Sequence, residues 1–161
     1  MTTPLTRRSP EEQARLEAAL TDLFESRQRF NQILGLKVET LGPQGVTMGF
    51  DMRPELVGHD LYERLHGGVI SATLDAMGGA ALMVAIGERH ADEDTEHIMH
   101  RYARMGTIDL RIDYLRPGLG RHFVASASIT RMGGRIGSTQ MRLVNQDGQL
   151  IATGSAAYVI S

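Results

Sequence analysis

Hydrophobic and polar positions change period several times along this chain, and each change marks an element. Leu16, Leu20, Leu23 and Phe24 recur at helical spacing. Ahead of them, Ser9-Pro10-Glu11-Glu12 offers a helix start: Ser9 to cap, Pro10 for the first helical position, Glu12 to close a capping box. The pattern predicts an N-terminal helix over about 10–30 with one face packed on the body. Leu36, Val38 and Thr40 then alternate with polar neighbours, as do Val46, Met48, Phe50 and Met52 beyond Gly42-Pro43-Gln44-Gly45. That combination reads as a β-hairpin. Arg53 to Leu65, with Pro54 and Gly58, reads as a loop.

Residues 67–87 form the longest apolar run and predict a helix hydrophobic on all sides, hence enclosed by protein. Residues 88–104 are dense in charge and read as a surface loop or a short exposed helix. From Thr107 the period returns to two. Ile108, Leu110, Ile112 and Tyr114 mark one strand, and Phe123, Ala125, Ala127 and Ile129 the next. Residues 135–145 and 150–160 follow, separated by Gly-rich turns. Short connections predict four strands in an antiparallel meander. A sheet with one apolar face needs a cover, and the long helix is the only element apolar enough to supply it. The expected fold class is α+β: one domain over 1–161, an antiparallel sheet wrapped around a long central apolar helix.

The totals narrow the function. With 161 residues, 42% hydrophobic and 22% charged, the chain suits one soluble domain. A net charge of −2 gives nucleic-acid binding no support. The absence of cysteine excludes a disulfide scaffold, a thiol nucleophile and a cysteine-held metal, and fits a cytoplasmic protein. The opening MTTPLTRRSPEEQ has no apolar stretch after its arginines, so no secretory signal is expected. The run from Val69 to Ile86 nearly has the length of a membrane span. However, Ser71, Thr73, Asp75, Gly78 and Gly79 lie within it, and an aspartate at a bilayer centre costs about 2.5–3.5 kcal/mol. No membrane span is expected. Neither a Gly-x-Gly-x-x-Gly nor a Walker pattern occurs, and Gly-x-Ser-x-Gly is absent. His90, His97 and His100 stand among Asp92, Glu93, Asp94 and Glu96, residue types that can bind zinc. A solvated charged segment is the better reading, and no metal or separate cofactor is expected. Arg116, Arg131 and Arg135 flank Gly-rich turns, where arginines either hold phosphates or merely solubilise.

The chemistry concentrates in LHGGVISATLDAMGGAAL, residues 65–82. A lone carboxylate in apolar surroundings is costly unless hydrogen-bonded, so Asp75 is either a structural anchor or a site. Gly67 and Gly68 stand where the helix begins. Unpaired N–H groups and the helix dipole there can hold an oxyanion, and glycine lets a ligand atom approach. His66 could orient that turn or donate a hydrogen bond. Alternatively, Gly-Gly simply starts a helix. Asp75 lies seven residues past Gly68, about 10 Å along the axis. One carbonyl carbon cannot sit against both in one chain, so a shared substrate requires two copies.

His66-Gly67-Gly68, six residues, then Asp75 in an apolar helix resembles the hotdog-fold acyl-CoA thioesterases of the PaaI-like group. TIDLRIDYLRPGLG (107–120), RMGGR and the ending GQLIATGSAAYVI are similar to that group's later strands, so the resemblance covers about 31–161. It implies a hotdog domain that hydrolyses an acyl-CoA thioester, CoA being part of the substrate. The Gly68 amide would polarise the carbonyl, and Asp75 of a neighbouring subunit would activate water or attack directly. His66 would support the thioester end, and Thr107 would position the water. Gly67, Arg131, Gly133, Gly134 and Arg135 would contact CoA. The implied assembly is a homodimer or dimer of dimers. Many relatives carry asparagine where this chain has His59 or Asp60, so that residue's role does not transfer. A non-catalytic acyl-CoA binder or sensor on the same fold is the alternative, since fold does not fix function.

Overall fold

The computed structural model describes residues 7–161; the start of the segment read as free of a secretory signal lies outside the described residues. The N-terminal segment begins as expected, but not as one helix. Helix α1 (Pro10–Asp22) is capped by Ser9 Oγ, which accepts the Glu12 N–H at 3.2 Å. It widens into a π turn over Leu23–Arg27, breaks at Gln28 in an extended conformation, and resumes as α2 (Arg29–Leu34). Gly35 ends it in the left-handed region at φ 73°, which glycine adopts at no steric cost. Leu16, Leu20 and Phe24 are buried, so the apolar stripe runs through the π turn. Glu12 does not close a capping box. Its Oε1 accepts the Thr95 N–H at 2.7 Å, tying α1 to the segment after the long helix.

The predicted hairpin is present as β1 (Lys37–Gly42) and β2 (Gly45–Asp51), with Gly42 opposite Gly45. The loop after it holds a small ladder, β3 (Val57–His59) with β4 (Arg64–Leu65). Helix α3 (Gly67–Arg89) is the long apolar helix, and Leu74, Met77 and Leu82 on it are fully buried. Burying each such side chain contributes about 1.5–3 kcal/mol. The charged segment contains α4 (Thr95–Tyr102), more firmly seated than a solvated helix. Its Ile98 and Tyr102 are buried, and the Tyr102 hydroxyl donates to the Met83 carbonyl at 2.6 Å.

Strands β5 (Gly106–Tyr114), β6 (His122–Met132), β7 (Ile136–Asn145) and β8 (Leu150–Val159) complete one antiparallel sheet in the order β1-β2-β6-β7-β8-β5. The sheet covers α3, as expected. The meander does not hold at its first step: β5 pairs with β8, not with β6. The segment 115–121 carries the chain past two strands to reach β6. Three strand spacings are about 14 Å, and seven extended residues reach about 23 Å. The crossing is tied along its path, since the Leu115 N–H donates to Ile151 O at 2.9 Å and the Leu65 N–H to Gly118 O at 3.0 Å. A connection of this length serves a hairpin or a crossing equally, which is why spacing alone pointed to the simpler path. The result leaves β5 on an edge.

Helix and sheet pack closely at Gly78. A Cβ there would collide with the Tyr158 hydroxyl and Thr139 Oγ1 on the inner face of the sheet. On the outer face, Gly49 makes room for a three-member cluster. His122 bonds Asp51 Oδ1 through Nδ1 at 2.8 Å and Glu39 Oε1 through Nε2 at 3.1 Å, linking β6, β2 and β1. The Asp51 bond raises the His122 pKa above its ordinary 6.5, burial works against this, and Glu39 adds to the rise. A raised folded-state pKa means that protonated His122 stabilises the fold fully below the unfolded value. That increment disappears as pH climbs through the raised value. The unfolding midpoint of the parent is therefore expected to fall more between pH 6 and 8 than that of His122→Gln. Parallel profiles would show that this cluster contributes nothing. The effect is modest, because these side chains are partly exposed and salt screens them.

Candidate active site

Asp75 projects from the middle of α3 into a cleft of about 260 Å³. It is half-buried rather than fully enclosed. Its Oδ1 accepts the Thr107 hydroxyl at 2.9 Å, and the Tyr158 hydroxyl lies 3.2 Å from the same oxygen. Tyr158 also donates to the Asp75 main-chain carbonyl at 2.9 Å, so one phenolic proton is shared between the two acceptors. Burial, with the Asp75 carboxylate beside it, pushes the Tyr158 phenol well above its usual pKa and keeps that proton in place. Oδ2 of Asp75 makes no hydrogen bond within the described residues. One oxygen is thus anchored and the other is left for a ligand.

Thr107 reaches Asp75 because β5 begins beside α3, with an irregularity in its pairing at Ile108. Tyr158 comes from the inner face of β8, and sequence reasoning missed it. A tyrosine on the buried side of a strand needs a polar partner for its hydroxyl, and Asp75 is one of few polar groups on the opposing helix. The other wall of the cleft comes from the N-terminal segment. Phe24, Gln28, Phe30 and Asn31 face Ala72, Ala76, Gly79 and Met83 across it. No motif marked these residues, since their role arises only from the packing of α2 on α3.

His66 and Gly67, next to Gly68, line a separate cleft of about 500 Å³ at the start of α3. His66 is the N-cap, and its Nδ1 accepts the Gly68 N–H at 2.8 Å. An accepting Nδ1 carries no proton, so the ring proton sits on Nε2. The Gly67 N–H, first of the helix, has no acceptor within the described residues. Its carbonyl accepts the Tyr114 hydroxyl at 3.1 Å, which fastens the turn to the far end of β5. Arg64 and Arg116 line the same cleft. Asp60, the departure noted above, is almost fully exposed.

The third predicted group lies elsewhere. Arg131 is the next-to-last residue of β6, and Gly133, Gly134 and Arg135 lie in the turn into β7. Arg89, at the C-terminal end of α3, donates to the carbonyls of Gly133 at 2.6 Å and Met132 at 2.9 Å. The chain therefore brings Asp75 and Thr107 together, and His66, Gly67 and Gly68 together, but keeps the two groups apart. The arginine turn sits at the opposite end of a helix about 33 Å long. Among the described residues, no group of His, Asp and Glu is arranged to hold a metal ion.

The family model described as thioesterase superfamily matches residues 62–152, which contain both the His66 turn and Asp75. A medium/long-chain acyl-CoA thioesterase of Salmonella typhimurium, YigI, is 36% identical over 139 residues, 86% of this chain and 90% of that protein. Its Escherichia coli K12 counterpart is 34% identical over the same shares. A crystal structure from Shewanella oneidensis, described as related to the thioesterase superfamily, superposes with a TM-score of 0.89. It is 34% identical, and the match covers 96% of this chain and 100% of that one.

Proposed function

The chain belongs to the thioesterase superfamily and is a thioester hydrolase, and we propose that it cleaves medium- and long-chain acyl-CoA to the free acid and CoA. The observation that carries this reading is Asp75: one oxygen is held by Thr107, and the other is open to a largely apolar cleft. Relatives described as medium/long-chain acyl-CoA thioesterases, matched over most of both chains, supply the substrate class. A cytoplasmic setting suits this substrate and a chain without cysteine.

The site is assembled from two copies of the chain. Within one copy, Asp75 is tied to the Thr107 end of β5 and Gly67 to the Tyr114 end. Strand β5 is a nine-residue edge strand, a ready template for pairing. Antiparallel pairing of two β5 strands sets the Thr107 end of one against the Tyr114 end of the other. Asp75 of one copy then faces the Gly67-Gly68 turn of the second. The assembly is a homodimer or a dimer of dimers.

In such a site the thioester oxygen displaces His66 Nδ1 from the Gly68 amide, with the Gly67 N–H beside it, and the helix dipole stabilises the developing charge. Asp75 Oδ2 takes a proton from a water that Thr107 helps position. The water oxygen bonds to the carbonyl carbon, the C–S bond breaks, and the thiolate of CoA leaves and takes up a proton. Direct attack by Asp75 through an anhydride gives the same products. Arg131, Gly133, Gly134 and Arg135 remain candidates for the phosphate-bearing arm of CoA. A thiol-release assay over acyl-CoAs from two to sixteen carbons tests the reading, with turnover expected on medium and long chains. Tight binding with no release at any length would replace it by the acyl-CoA binder or sensor.

A further inference from the structure

Two adjacent glycines on α3 have different surroundings. Gly78 is buried, and Tyr158 and Thr139 leave no room for a side chain there. Gly79 is half-exposed, and the nearest atom to a Cβ built on it is Tyr158 Cε1 at 3.9 Å. Its φ is not positive, so the backbone does not call for glycine either. Glycine inside a helix is less stable than alanine. Packing and backbone geometry therefore explain Gly78 but leave Gly79 without a structural reason.

Gly79 does line the cleft that holds Asp75. Ala72, Ala76 and Gly79 share one face of α3 at helical spacing, and all three line that cleft, with Met83 one turn further on. Phe24 and Phe30 stand on the opposite wall. The floor from Asp75 to Met83 is about 12 Å long, enough for an extended chain of roughly nine carbons. We infer that this groove takes the acyl chain of the substrate, and that Gly79 is the position that admits chains longer than about six carbons. The inference rests on the thioesterase reading and assigns the chain-length limit to one residue.

The test compares the parent, Gly79→Ala and Gly79→Leu in the full chain, by thiol release from butyryl-, octanoyl- and lauroyl-CoA. The open space and the gain in helix preference lead us to expect folded variants with unfolding midpoints at or above the parent's. Gly79→Leu is expected to keep butyryl-CoA turnover within about threefold while its ratio of lauroyl to butyryl kcat/KM falls at least about tenfold. Gly79→Ala should shift that ratio in the same direction by less. An unchanged ratio in both variants, equal loss at every chain length, or dissociation into monomers would overturn the assignment. If the parent releases no thiol from any acyl-CoA, the thioesterase reading itself has failed, an outcome distinct from an unshifted ratio.

Discussion

Asp75→Asn is expected to fold with an unfolding midpoint near the parent's and to lose roughly 10²- to 10⁴-fold in acyl-CoA hydrolysis, the usual contribution of a positioned base. The amide oxygen of asparagine can still accept the Thr107 hydroxyl and face Tyr158, so the contacts that seat the side chain survive. What is lost is the second carboxylate oxygen, the one with no partner in the chain. If Asp75 only anchored α3 to β5 and β8, the change would be nearly silent in the assay. Thiol release measured beside a thermal melt separates the two roles. Rapid hydrolysis by a folded Asp75→Asn protein would remove Asp75 from the chemistry.

Mixing two inactive variants is expected to restore activity. Asp75→Asn keeps the Gly68 turn intact. Gly68→Val keeps Asp75 but blocks approach to the amide, since a Cβ there already lies 2.9 Å from His66 Nδ1. If each site takes Asp75 from one copy and the Gly68 turn from another, a mixed dimer holds one site with both lesions and one with neither. Statistical reassociation makes half of the dimers mixed, so recovery should approach about a quarter of parental activity. Sites built within one chain would give none. Co-refolding equal amounts of the two variants and assaying thiol release decides the matter, and a mixture as inactive as its components would remove the two-copy site.

Much of the candidate site was legible in the sequence because its parts are local. Gly67 and Gly68 at the head of an apolar run, and Asp75 about two turns further on, are readable from spacing. The impossibility of their meeting on one carbon within a chain follows from helix geometry alone. Thr107 came from family likeness, and the structure sets it on Asp75. The environment of Asp75 was not legible. The puzzle of an unpaired buried acid is settled by Tyr158 and Thr107, which lie 83 and 32 residues away along the chain. The cleft wall from Phe24 to Asn31 was hidden for a similar reason. Periodicity predicts a continuous helix there and cannot register a π turn that re-aims the residues after it.

The sequence by itself determined the start of the first helix, the long apolar helix and its enclosure, the hairpin and the later strands, since side-chain periodicity and the cost of exposing an apolar face are properties of neighbouring residues. Only the tertiary structure decided that β5 crosses to the edge beside β8, that Asp75 is half-buried with one oxygen free, and that Gly78 is closed while Gly79 is open. Those outcomes depend on which distant surfaces meet. Hydrogen bonds and steric contacts between remote residues select among chain paths that the local pattern allows equally.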